Sequence, residues 1–190
     1  MIVTADAELL YPLTLFCQNG GHPLPSFEVL DGEALPQPYR GLLVHHGDMT
    51  SRLEEFHGGA LVLEVLHHEH TPTSYRREVV LRLETSGSAV EYGAIEIDLA
   101  AFDGELRQMI LDHRYPLGGL LNRFGIQYRS EPKAFIKLGS DAVMQRVFAL
   151  PGGDEFYGRC NLLLGTEDRK LARIVEVLRP VENTASYAHV

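Results

Sequence analysis

Period-two alternation is the clearest signal along this chain. Read as a β-strand, the stretch SYRREVVLRLE (74–84) sends alternate side chains to opposite faces. Tyr75, Arg77, Val79, Leu81 and Leu83 fall on one face; Arg76, Glu78, Val80, Arg82 and Glu84 fall on the other. The first face is the more apolar, so it is expected to be the buried one, with Arg77 in its middle. An arginine keeps its proton, and burying it unpaired is costly. The pattern therefore asks for an anion at Arg77. KLARIVEVLRP (170–180) repeats the anomaly: Ala172, Ile174, Glu176 and Leu178 share a face, which leaves Glu176 among apolar neighbours.

Further elements follow from the same periodicities. Asp48 reads as an N-cap, Met49, Leu53 and Phe56 recur at helical spacing, and Gly58 ends the run. Strands are predicted at 60–70, 74–84, 89–99, 126–138, 144–150, 155–165 and 170–180. Residues 98–113 form an amphipathic pattern with Leu99, Phe102, Leu106, Met109, Ile110 and His113 on one side. Pro116 opens a short helix that Gly125 stops. Residues 1–39, with five prolines and the Gly20–Gly21 pair, read as an N-terminal arm before a single domain over 40–190. Strands joined by short turns argue for an α+β protein. The expectation is one antiparallel sheet of about six strands, with helices packed to one side over a buried ligand site.

Composition narrows the function classes. Lys and Arg number 17 against 26 Asp and Glu, a formal charge of -9. Such a chain is a poor match for nucleic acid or an anionic membrane, so neither is expected as a partner, and any positive site for an anion must be local. Cys17 and Cys160 make no disulfide framework or metal spacing, consistent with a reducing compartment. The N-terminus lacks a basic segment and no apolar run approaches spanning length, so a cytoplasmic protein is expected.

Candidate chemistry centres on Arg77 and Glu176. One reading is a buried Arg77–Glu176 ion pair with a purely structural role. The other is a pocket in which Arg77 holds a carboxylate and Glu176 works on a hydroxyl or proton. Met49 and Leu117 stand in the first turns of two helices, where free N–H groups suit anions. His68 and His70 share a strand face but lack a third metal ligand at a recognisable spacing. His45 and His46 read as packing or supporting groups, Tyr157 and Arg159 as hydrogen-bonding groups. No phosphate loop is present, and neither metal nor organic cofactor is expected.

The pieces HGDMTSRLE, YRREVVL, YGAIEI, YPLGGLL, FYGRCNLL and IVEVLRP, in this order from Arg40 to Pro180, resemble the chorismate lyase family. That resemblance implies an enzyme that eliminates enolpyruvate from chorismate, leaving pyruvate and 4-hydroxybenzoate, without a cofactor. It also implies roles: Arg77 on a carboxylate, Glu176 near the ring hydroxyl, and the backbone N–H groups of Met49 and Leu117 on the substrate. Ala94 stands where the better-known bacterial lyases carry a second arginine, and Arg159 is the candidate to replace it. Two alternatives accompany the lyase expectation. One is a related lyase acting on another chorismate-derived substrate in secondary metabolism. The other is a non-catalytic aromatic-acid sensor, since ligand-binding domains of some bacterial transcription regulators share the fold.

Overall fold

The computed structural model describes residues 8–139 and 141–181. In chain order, the first elements are helix α1 (Leu13–Asn19), strand β1 (Phe27–Leu30), helix α2 (Tyr39–Leu43) and helix α3 (Met49–His57). Strands β2 (Leu61–His70), β3 (Ser74–Leu83) and β4 (Ala89–Asp98) follow as a meander. Helices α4 (Gly104–Leu111) and α5 (Leu117–Arg123) lead into β5 (Arg129–Leu138) and helix α6 (Ala142–Phe148). Strands β6 (Phe156–Leu164) and β7 (Lys170–Leu178) complete the set. All seven strands form one sheet in the order β1-β5-β6-β7-β4-β3-β2, and each neighbouring pair is antiparallel. The expected α+β architecture, a single antiparallel sheet with helices over the face that carries Arg77, is therefore what forms. Among the described residues no helix is long and apolar enough to cross a membrane.

Local chemistry fixes the helix over the site. The Asp48 side chain accepts from the Ser51 N–H at 2.9 Å, and Gly58 closes α3 in the left-handed conformation at φ 65°. Both ends agree with the sequence signals, because an N-cap carboxylate and a C-terminal glycine each satisfy groups the helix leaves free. The pattern over 98–113 forms in two pieces instead of one. A 3₁₀ turn at Leu99–Ala101 is followed by Gly104 at φ 52°, which restarts the chain as α4. Leu99, Phe102, Leu106 and Ile110 are nonetheless all buried.

The stretch 144–150, expected as a strand, is helix α6. Asp141 accepts from the N–H groups of Val143 and Met144, at 2.8 and 3.0 Å, and so starts a helix that Ala149 ends at φ 54°. Met144 and Phe148, four residues apart, are both buried. The seventh strand comes instead from β1, which pairs with β5 from Phe27 opposite Leu138 to Leu30 opposite Phe135.

Helices α2 to α5 cover one face of the sheet. Helices α1 and α6 cover the other, where Leu13, Phe16, Met144 and Phe148 pack with Val80, Tyr92, Val175 and Val177. Both faces of β3 are thus buried, not only the Arg77 face: Val80 and Glu78 are as inaccessible as Val79. This two-sided burial puts weight on α6. Asp141→Ala should cost about 1 kcal/mol, the usual value of an N-cap. Urea unfolding would read this as a lower midpoint with unchanged slope; an unchanged midpoint would show that packing alone holds the helix.

Candidate functional site

Strand register decides which side chains meet. Arg159 of β6 lies opposite Glu176 of β7, and Glu176 lies opposite Gly93 of β4. One row along, Asn161 is opposite Ile174, Ile174 opposite Ile95, and Ile95 opposite Arg77. These two rows make the floor of a cavity. Its walls are the starts of two helices, Gly47 to Thr50 before and within α3 and Pro116 to Gly118 at α5. The space between them is about 570 Å³, counting the mouth. Gly118 suits this junction: a Cβ would stand 3.0 Å from Cβ of Asp48, so a larger residue would press the two helix starts apart by a few tenths of an ångström.

Arg77, Glu176, Met49 and Leu117, the positions expected to form a site, all line this one cavity. The Arg77–Glu176 ion pair of the purely structural reading does not form. Glu176 is taken by Nε of Arg159 in a fully buried bond. Nη1 of Arg159 donates to the carbonyls of Leu43 and His45, each at 3.2 Å, and faces Nε2 of His45 at 3.4 Å. Burial first, then the charges of Arg159 and Arg52, push His45 down to about 4, so its ring is neutral, and its Nδ1 accepts from the Gly47 N–H at 3.1 Å. Arg159 is therefore committed to Glu176 and this collar of acceptors.

Arg77 is not so provided for. It is 2% exposed, and Nη2 donates to the Tyr115 carbonyl at 3.1 Å. Its Nε and Nη1 have no hydrogen-bond partner among the described residues. Burial pushes its pKa down, and the neighbouring Tyr75, with its ring centroid 5.8 Å from the guanidinium carbon, works the other way. The connection between α4 and α5 straps over this group. His113 in that strap adopts φ 60°, stacks on His68 with ring centroids 4.0 Å apart, and shares a hydrogen bond with the Tyr75 hydroxyl. His68 is thus an aromatic support. Among the described residues no group of three or more His, Cys, Asp or Glu is placed to hold a metal ion.

Ala94 belongs to the core on the opposite face of the sheet, with Tyr92 and Val175. An arginine there would point away from the cavity, and the second guanidinium of the site face is Arg159.

Glu91 is the cavity residue that sequence reading missed. It shares the inward face of β4 with Gly93 and Ile95, is 5% exposed, and its Oε2 has no hydrogen-bond partner among the described residues. Burial, and then the Glu176 carboxylate beside it, raise its pKa well above the ordinary range; Arg159 opposes this more weakly. The signal was present in the sequence, since Glu91, Gly93, Ile95 and Ile97 alternate as the Arg77 and Glu176 strands do. Asn161 was also missed. It exchanges hydrogen bonds with Ser130 at 2.9 and 3.1 Å, so its polar atoms are engaged at the cavity edge.

A seven-stranded antiparallel sheet with a cavity beneath helix starts forms a chorismate lyase-like α+β fold. Solved structures share this fold. The chain is similar to the ligand-binding domain of a GntR-family transcriptional regulator from Bordetella bronchiseptica, at 12% identity over 63% of this chain and 85% of that one, with TM-score 0.50. It is similar to the effector domain of PhnF from Mycobacterium smegmatis, at 13% identity over 70% and 88%, with TM-score 0.53. A longer PhnF chain matches at 14% identity over 72% of this chain and 65% of that one, with TM-score 0.56. No family model and no curated protein matches. None of these neighbours is described as chorismate lyase, and they overturn the lyase expectation: the proteins that share the fold are described as the ligand-binding domain of a transcriptional regulator and as an effector domain. No catalytic role is therefore assigned to Arg77 or Glu176, and the keywords of aromatic-acid biosynthesis fall with the enzyme. The expectation of no nucleic-acid partner has no support either, because the neighbours come from transcriptional regulators.

The raised pKa of Glu91 has a thermodynamic signature. The native state keeps a proton that the unfolded chain releases near the ordinary glutamate value of about 4.3. Stability therefore falls as pH rises from there toward the native value. Glu91→Gln removes this loss, so the variant should melt higher than the parent at about pH 7.5 and gain little at about pH 4. Melting curves at both values test it, and an equal difference at both would show that Glu91 titrates normally.

Proposed function

We propose that this chain is a ligand-binding sensor domain whose cavity takes a small organic acid, with an aromatic acid as the first class to try. The observation that carries the reading is Arg77: buried, charged, and with two nitrogens, Nε and Nη1, that lack a hydrogen-bond partner among the described residues. Leaving such donors unmet costs free energy, and a ligand carboxylate removes that cost on binding. The N–H groups of Met49 and Leu117, at helix starts lining the same cavity, would add dipole and hydrogen-bond support for the anion. Glu176, held by Arg159, is a wall of the cavity in this reading.

The regulator domains that share the fold support a signal-receiving role. Contact with nucleic acid would then belong to the function of a larger assembly, and a cytoplasmic location would suit it. Binding without turnover is what separates this proposal from chemistry. Titration calorimetry with 4-hydroxybenzoate should show saturable binding, and incubation with chorismate should release no pyruvate. Arg77→Met keeps most of the stem volume and removes the charge. Truncating one partner of a buried charge pair costs ~2–5 kcal/mol, so affinity should fall at least 30-fold. An unchanged affinity in a folded Arg77→Met protein would sink the proposed anion contact.

A further inference from the structure

The cavity has a second unmet group, and it lies at the end remote from Arg77. Among the described residues, the buried side-chain polar atoms without a partner that line this cavity are Nε and Nη1 of Arg77 and Oε2 of Glu91. Arg77 is opposite Ile95, and Glu91 stands four residues along β4 from Ile95. At the rise of an antiparallel strand this separates the two backbones by ~13 Å. Both side chains reach several ångströms from their strands into one cavity, so they bracket a ligand about the size of a single substituted ring.

Charge accounting says what the far end should be. Arg159 and Glu176 cancel each other through a direct bond. Glu91 lies buried beside Glu176, and both burial and that neighbour favour its neutral form. Among its buried groups the cavity is left with one unpaired positive charge, on Arg77; the part-exposed Asp48 carboxylate at the wall is engaged by the Ser51 N–H, and the far end presents a carboxyl group able to donate and accept. A second ligand carboxylate would face Glu91 and Glu176 with no cation to spare. A ligand ammonium would be buried near Arg159 and would have to draw the proton from Glu91 first. Burying an unmatched charge is far costlier than burying a hydrogen-bonded neutral group.

We propose that Glu91 reads the end of the ligand remote from Arg77 and selects a singly charged acid that carries an uncharged hydrogen-bonding group there. This deepens the reading of Arg77 as the anion holder and rests on it. No nucleophile, metal or proton transfer is involved; the claim concerns recognition alone.

Four acids on one rigid scaffold separate the possibilities: 4-methylbenzoate, 4-(hydroxymethyl)benzoate, 4-(aminomethyl)benzoate and terephthalate. Calorimetry should rank the hydroxymethyl acid about tenfold above the methyl acid, as one net hydrogen bond implies, and the ammonium and second-carboxylate acids below both. Glu91→Gln, neutral and of the same shape, should keep that order. Glu91→Leu should erase the gap between the hydroxymethyl and methyl acids. Tightest binding of the aminomethyl acid, lost in Glu91→Gln, would overturn the proposal by showing Glu91 acting as a charge. A gap that survives in Glu91→Leu would overturn it too. The 4-methyl acid serves as the control for the Arg77 reading. Should none of the four bind, that reading fails, and Glu91 is still judged by infrared difference spectra of parent minus Glu91→Gln at neutral pH. A protonated-carboxyl stretch in that difference supports the assignment, and its absence overturns it.

Discussion

A sheet covered on both faces leaves its inner strands nowhere to put a polar side chain without a partner. Most of the structure around β3, β4, β6 and β7 answers this constraint. Glu78, on the face under α1 and α6, accepts from the Tyr92 hydroxyl at 2.5 Å and meets Nδ1 of His67 at 2.6 Å. Arg76 is held between Glu69 and Glu96. Asn161 and Ser130 satisfy each other, and Glu176 has Arg159. Against this background of met groups, Arg77 and Glu91 stand out. Each costs the fold free energy that a hydrogen-bonded pair would not. Both belong to one cavity, which is the reason to read them together as a binding site and not as separate defects.

The helices make that cavity by how they begin. Asp48 caps α3 while touching the start of α5, and Gly118 leaves the room for it to do so. Asn122 reaches back to Asp48 at 3.5 Å across the same junction. Two first turns are thereby held side by side over the Arg77 row of the sheet. The strap from α4 to α5 closes another side, with the Tyr115 carbonyl on Arg77 and His113 packed against Tyr75 and His68. The cavity walls thus rest on backbone and on the Asp48-capped start of α3, which are stiffer than long side chains.

Much of this was legible in the sequence, for definite reasons. A side-chain period of two makes a lone charge on an apolar face visible, and Arg77 and Glu176 showed themselves that way. Glu91 obeys the same rule; it went unseen because β4 is apolar or small on both faces, which blurs the alternation. The partner of Glu176 was misjudged because pairing across strands depends on register, and register is fixed by distant contacts. The stretch 144–150 is short and apolar, a pattern that helix and strand share, and the decisive feature was the cap at Asp141 just before it. Strand β1 has only four residues, and its pairing with β5 joins segments more than a hundred residues apart, beyond any local signal.

The two unmet donors on Arg77 bear on how long the protein lasts as well as on what it holds. A ligand that satisfies them binds the native state and not the unfolded chain, so occupancy and stability become one quantity. At a hundred times its dissociation constant such a ligand adds ~2.7 kcal/mol. Changes of ~1–2 kcal/mol alter the steady-state level of a protein in a cell several-fold, through the rate at which unfolded molecules are destroyed. In the proposed sensor reading, a buried arginine of this kind would tie the abundance of the chain to the supply of its ligand, a slow channel of response that needs no change of shape.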